Sequence, residues 1–242
     1  MATPIRSSEK IGFDTKEVRS IVRTVYPFFH CSAKLPKDLL TCTEPLIFCC
    51  NHYQFFGPVA AVISLPLRFH VWMNRDMLSA LSDMDSLVRL ARETFPFLSV
   101  RQATHLLKKL TPQAETALQA IEPIWAGFDQ PFQTARAVRE SIACLTRGEH
   151  LIIFPETGLP TYPDGGISPL FSGFTLVGEM YRRETGKTSL FVPIYIDRWK
   201  KKLLFGRPIA YPDQPAAEAG ETVRNALTAQ LLDMAELSGH LS

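Results

Sequence analysis

The chain has 242 residues, 46% of them aliphatic, aromatic or cysteine and 21% charged, a length and balance that build one large α/β domain and exclude a mini-protein or a disordered chain. A formal net charge of +2 supplies no long-range field for nucleic acid, so no nucleic-acid partner is expected. The five cysteines, Cys31, Cys42, Cys49, Cys50 and Cys144, are odd in number and lack any Cys-x-x-Cys spacing, so neither a disulfide framework nor a zinc site is expected and a reducing cytoplasm fits.

From Met1 to Phe13 the chain carries Arg6 and Lys10 but no uninterrupted apolar core, so no secretory leader is expected. Between Thr15 and Phe29, Val18, Ile21, Val22, Val25 and Phe29 recur at helical spacing, with Lys16, Arg19 and Arg23 on other faces. The spacing predicts an amphipathic helix with a basic flank, ended or kinked at Pro27, that either caps the core or lies against anionic lipid. Residues 1–40 thus read as an N-terminal amphipathic helical segment ahead of an α/β domain over 41–242. The run Pro45-Leu46-Ile47-Phe48-Cys49-Cys50 reads as a short buried strand that delivers Asn51-His52 from its carboxyl end, and Gly57-Pro58 opens a helix through about Ser64. Cys49 and Cys50 are neighbours on a strand, face opposite sides and read as buried structural thiols.

Downstream, strands over Arg68–Met73 and Phe97–Arg101 flank a helix across Ser79–Glu93. The stretch from His105 to Pro131, where Ala, Leu and Gln alternate with Pro and Trp125, is expected to add a helical flap over the cleft. A helix over Gln133–Thr146 leads into strand Leu151–Phe154. Then follow a helix over Phe171–Arg183, strands over Leu190–Ile196 and Leu203–Phe205, and a final helix over Glu218–Leu237 with Val223, Leu227, Leu231 and Met234 on one side. This alternation predicts an α/β fold with a mostly parallel central sheet and helices on both faces. No stretch reaches the roughly 18 apolar residues of a spanning helix, so any membrane contact is expected to be peripheral. Arg198, Lys200, Lys201 and Lys202 form a basic turn, solvated by default and also suited to an anionic bilayer.

Open α/β sheets hold their sites at the carboxyl ends of strands. His52 stands there, and three further segments end in the same way: Phe97-Leu98-Ser99-Val100-Arg101, Leu151-Ile152-Ile153-Phe154-Pro155-Glu156-Thr157-Gly158, and Phe191-Val192-Pro193-Ile194-Tyr195-Ile196. In this order, with the stretch from Gly166 to Gly173 and with Phe205-Gly206-Arg207-Pro208-Ile209 behind them, the segments from about Leu46 to Tyr211 resemble the glycerophospholipid acyltransferases of the lysophosphatidic acid acyltransferase type. That family's pattern is Asn-His, four residues and an Asp, then an apolar block ending in Arg, then Phe-Pro-Glu-Gly, then an apolar-Pro block.

The resemblance implies a glycerolipid acyltransferase-like fold and an O-acyltransferase in which His52 is the general base, taking the proton of an acceptor hydroxyl as its oxygen attacks an acyl thioester. It implies that Asn51 and Glu156 shape the cleft. Arg101, helped by Arg75, would hold an anionic headgroup or donor phosphates, because Arg offers a rigid fork of donors to oxyanions. The Thr157-Gly158 turn would donate backbone N–H groups. The implied donor is acyl-CoA or acyl carrier protein and the implied acceptor a lysophospholipid or related lipid, handled at the cytoplasmic periphery of a membrane without a metal or a cofactor.

The chain departs from the pattern in two places. Gly57 stands where the family has its Asp, and Phe-Pro-Glu-Gly-Thr-Arg of many relatives reads Phe154-Pro155-Glu156-Thr157-Gly158-Leu159, without the Arg. By analogy with the serine hydrolase triad, loss of the carboxylate that orients the base costs on the order of 10² to 10⁴ in rate. Two rival readings follow: a catalytically silent lipid-binding or scaffold protein on the same fold, and hydrolysis of a thioester or ester by water activated at His52.

Overall fold

Every residue of strand β2, Leu46–Cys50, is buried, because the strand lies in the middle of a sheet covered on both faces. Such a strand reads as a continuous apolar run rather than an alternating one. The computed structural model describes residue 23 and residues 26–52, 56–67, 69–74, 83–94, 97–120, 122–127, 131–157 and 167–239. Among them the remaining strands are β1 (Ser32–Ala33), β3 (Phe69–Asn74), β4 (Ile124–Ala126), β5 (His150–Ile153), β6 (Leu190–Asp197), β7 (Lys202–Phe205) and β8 (Ile209–Ala210). The helices are α1 (Lys37–Thr41), α2 (Phe56–Ser64), α3 (Met84–Thr94), α4 (Val100–Ala120), α5 (Pro131–Thr146), α6 (Leu176–Thr185) and α7 (Ala216–Leu237). The order across the sheet is β1-β7-β6-β2-β5-β3-β4, with β8 also on β6. β6, β2, β5, β3 and β4 run parallel to one another, while β7 and β8 pair antiparallel with β6. The expected fold class is the observed one.

Alternation along β2 divides the interior into two cores. Ile47 and Cys49 join Trp72, Ile153, Phe191 and Tyr195 under α5, α6 and α7. Leu46, Phe48 and Cys50 join Val71, Ile152, Val192 and Ile194 under α2 and the segment around Leu39. The two adjacent thiols therefore point into opposite cores, both fully buried.

Pro193 lies inside β6, where a missing N–H would ordinarily break a ladder. The carbonyl of Pro193 accepts the Gly206 amide, so its nitrogen points to the same side of the strand, toward β7 and β8. On that side β8 pairs with Leu190 and Phe191, and β7 pairs from Ile194 onward. The proline nitrogen thus falls in the gap between two partners and costs no hydrogen bond.

Three expectations need correction or restriction. The strand expected over Phe97–Arg101 is a turn followed by the start of α4. Ser99 N–H donates to Gln102 Oε1 at 2.9 Å and Gln102 N–H donates to Ser99 Oγ at 3.3 Å, a reciprocal capping box that starts a helix at Val100. The stretch expected as one helical flap divides into the rest of α4 and the edge strand β4, whose Trp125 is opposite Met73. The helix expected over Thr15–Phe29 lies mostly outside the described residues; positions 23 and 26–29 are helical.

Candidate active site

The parallel register of β2 and β5 sets Cys49 opposite Ile153. Three residues past that pair stand His52 on one chain end and Glu156 on the other, and a direct bond joins them: the His52 backbone N–H donates to Glu156 Oε1 at 3.0 Å. The second carboxylate oxygen, Oε2, accepts the Ser168 N–H at 3.3 Å. Glu156 is buried, and its two oxygens hold together the end of β2 and the segment that returns after β5. The returning segment is pinned further by an antiparallel bridge between Glu156 and Leu170 and by the Phe171 N–H on the Pro155 carbonyl at 2.9 Å.

Asn51 does for β6 what Glu156 does for the returning segment. Its side chain is buried, with Oδ1 accepting the Ile196 N–H at 2.6 Å and Nδ2 donating to the Ile196 carbonyl at 3.4 Å. A side-chain amide here copies a backbone pair and prolongs the β2–β6 ladder beyond its last register pair, Cys50 with Ile194. The backbone of the Asn51-His52 dipeptide is therefore tied on both sides, to β6 and to the Glu156 loop. His52 is half-buried, its Nδ1 is shielded from solvent, and its ring meets the Phe154 ring edge-on, with centroids 5.5 Å apart.

Gly57 has a packing reason. A Cβ there would lie 2.7 Å from the His52 carbonyl carbon and closer still to its oxygen, and 3.0 Å from the Asn51 carbonyl oxygen. Only glycine lets the first turn of α2 come this near the chain that carries His52. The sequence suggests a lost carboxylate at this position; the backbone comes so close here that no carboxylate-bearing residue fits without a shift.

The other residues read from the sequence are dispersed. Arg101 lies exposed in the first turn of α4, and no described hydrogen bond or ion pair links it to Asn51, His52 or Glu156. The Thr157 N–H and hydroxyl both donate to the Pro169 carbonyl, each at 2.8 Å, so Thr157 fastens the returning segment. Arg75, Gly158 and Leu159 lie outside the described residues. Burial pushes the Cys49 and Cys50 thiols far up, and Cys50 adds to the effect at Cys49, so neither offers a thiolate nucleophile beside His52. Sequence reasoning missed the Ser168 amide and the Phe154 ring as parts of this site. The first is a backbone contact without a residue signature; the second was legible as the residue two before Glu156.

The chain matches no family model and no curated protein sequence. Among solved structures it is similar to the crystal structure of the 1-acyl-sn-glycerophosphate (LPA) acyltransferase PlsC from Thermotoga maritima, with a TM-score of 0.50 and 14% identity, over 92% of this chain and 85% of that one. At that identity the likeness establishes the shared fold.

Proposed function

We propose that the protein is an acyltransferase that moves a fatty acyl group from an acyl-CoA or acyl-carrier-protein thioester to a hydroxyl of a lysophospholipid or related lipid. The observation that carries this reading is the pairing of His52 with Glu156 across the carboxyl ends of two adjacent parallel strands. His52 is the general base. Its ring takes the proton from the acceptor hydroxyl, the oxygen attacks the thioester carbonyl, and the C–S bond breaks to release the thiol, which takes a proton in its turn. Glu156 and Asn51 act as positioning residues, since their polar atoms hold backbone on either side of the imidazole. Arg75 and Arg101 are assigned to the anionic headgroup or the donor phosphates, and Gly158 to backbone donation. No described helix is long and apolar enough to cross a membrane, and the reading has the protein work as a peripheral, cytoplasmic enzyme at a lipid surface.

A silent lipid-binding protein of the same fold is the rival, and Gly57 favours it, because the close approach at that position leaves no room for a carboxylate to orient the base. Incubating the purified chain with labelled acyl-CoA or acyl carrier protein and a panel of lysolipids separates the two. The enzyme reading expects transfer to at least one acceptor and a loss of about 100-fold or more in His52→Ala. Absence of transfer to every acceptor, with wild type and His52→Ala binding lipid vesicles equally, would establish the silent reading. Release of free fatty acid without acylated product would move the assignment to hydrolysis.

A further inference from the structure

At the opposite end of the sheet, where β3 and β5 begin, His70, Cys144 and Glu149 turn one donor atom each toward a common point, all within 4.8 Å of one another. The local fold explains how two of them meet. Helix α5 ends in a Schellman motif: Glu149 N–H donates to the Cys144 carbonyl at 3.1 Å, Gly148 N–H donates to the Leu145 carbonyl at 2.9 Å, and Gly148 takes φ 80°. That turn brings the side chain of the last helical turn and the residue just before β5 to one side. His70 comes from the second residue of β3, whose neighbour Phe69 is paired with His150.

His70 Nδ1 lies 3.2 Å from the Glu122 carbonyl oxygen and Nε2 lies 3.0 Å from Glu149 Oε2. Both partners only accept, so in the present arrangement each ring nitrogen carries a proton and the imidazolium pairs with Glu149. A metal ion would take the place of the Nε2 proton while the backbone carbonyl kept Nδ1–H, the arrangement that orients metal-ligating histidines.

We propose that His70 Nε2, Cys144 Sγ and Glu149 carboxylate bind a divalent transition-metal ion of the zinc class. One imidazole, one thiolate and one carboxylate suit the borderline-soft Zn²⁺ and exclude the hard, all-oxygen cations. Ligands bound at about 2.0 to 2.3 Å in a tetrahedron stand roughly 3.3 to 3.8 Å apart, so the observed spread closes with side-chain shifts of about 1 Å. Three protein ligands leave a fourth position, and the cluster opens on a cavity of about 440 Å³ lined by His70, Glu122, Trp125, Glu140, Cys144 and Arg147. A water or a small ligand would complete the shell from there. In the present arrangement the Arg147 guanidinium takes part of the metal's place: Nη2 donates to Glu149 Oε2 at 2.6 Å and to Cys144 Sγ at 3.3 Å. That side chain is 56% exposed and can swing into solvent. The site is far from His52 in the sheet and does not depend on the acyltransferase reading.

The test uses the full chain stripped with a chelator, then titrated with Zn²⁺ against a chromophoric chelator and with Co²⁺ by absorption. One equivalent per chain is expected, with a thiolate-to-cobalt charge-transfer band. His70→Gln and Cys144→Ser should each weaken binding by about 100-fold, and Cys144→Ser should abolish the band. Cys42→Ser, which removes the half-buried thiol elsewhere, should change neither. Arg147→Ala, at a solvent-facing position that leaves the fold intact, should tighten binding several-fold because a competing cation is gone. The proposal is overturned by absence of saturable binding, by full affinity and an unchanged band in Cys144→Ser, or by weaker binding in Arg147→Ala. The last outcome would mark the cluster as an ion-paired strut.

Discussion

Both ends of the sheet carry a histidine beside a glutamate, and the two pairs are built in opposite ways. At the carboxyl ends of β2 and β5, Glu156 binds the backbone of His52, a half-buried residue on a tied chain. At the amino ends of β3 and β5, Glu149 binds the ring of His70 itself, and Arg147 joins the same carboxylate. The first arrangement uses the acid to hold a backbone position. The second uses ring, acid and thiol together, which is the geometry of a closed charge cluster or of a ligand set. Burial follows the same division: His70 is 5% exposed, whereas His52 is half-buried.

The largest expected effect breaks the comparison if it fails. His52→Ala should lower acyl transfer by about 10² to 10⁴ and change folding stability by no more than about 1 kcal/mol, because His52 is only half-buried and the amide that Glu156 holds is kept. Initial rates with the best thioester and acceptor, together with a urea midpoint, measure both. A stability loss of several kcal/mol would show that His52 is a core histidine like His70, and the contrast between the two ends would disappear.

That contrast also governs what was legible in the sequence. The carboxyl-end site is written in contiguous stretches, Asn51-His52 after an apolar strand and Phe154-Pro155-Glu156 after another, and parallel register then brings them together without further information. The central strands β2, β3, β5 and β6 were readable because burial on both faces leaves apolar runs, and the last helix because Val223, Leu227, Leu231 and Met234 recur at helical spacing; the short edge strand β4 was not. The amino-end cluster was not legible. His70 lies far along the chain from Cys144 and Glu149, and no Cys-x-x-Cys spacing announces a ligand set. Its geometry depends on a helix stop at Gly148. The one element misread as a strand, Phe97–Arg101, contained its own correction in Ser99-x-x-Gln102. The apolar residues around that capping box outweighed it, although Phe97 and Val100 are exposed.

Installing the family's carboxylate is the next most severe change. Gly57→Asp drives a Cβ into the His52 carbonyl, so it should destabilise the chain by about 3 kcal/mol and lower any transfer activity rather than raise it. Gly57→Ala, which adds the Cβ without the acid, should cost nearly as much. A gain of activity in Gly57→Asp with an unchanged urea midpoint would mean that α2 yields easily and that a missing acid limits the reaction.

Asn51→Ala comes third. It leaves the buried N–H and C=O of Ile196 without the partners that Asn51 supplies, for a loss of about 2 kcal/mol. Because the lost bonds fix the chain just before His52, kcat should fall while the KM for the thioester changes little. Asn51→Asp keeps the acceptor for the Ile196 N–H but turns a second acceptor on the Ile196 carbonyl, and should be no better than Ala.

The smallest effect tests whether buried thiols away from the cavity are inert. Cys31 is fully buried, and its Sγ is 3.7 Å from the Phe29 carbonyl. Burial pushes the Cys31 thiol up from 9.0 to about 11, with Lys201 pulling it partly back and Asp197 adding to the rise. A raised folded value means that the unfolded chain loses this proton first. The stabilisation is complete below pH 9 and is lost as the pH climbs through about 11, by which point the loss is about 2 kcal/mol. Urea midpoints at pH 8, 9, 10 and 11 for wild type and Cys31→Ala isolate this contribution from the other alkaline titrations, which the two chains share. Wild type should lose more stability than Cys31→Ala over that window. Parallel slopes would mean that Cys31 ionises in the folded chain as freely as in the unfolded one, so burial alone would no longer separate the structural thiols from Cys144.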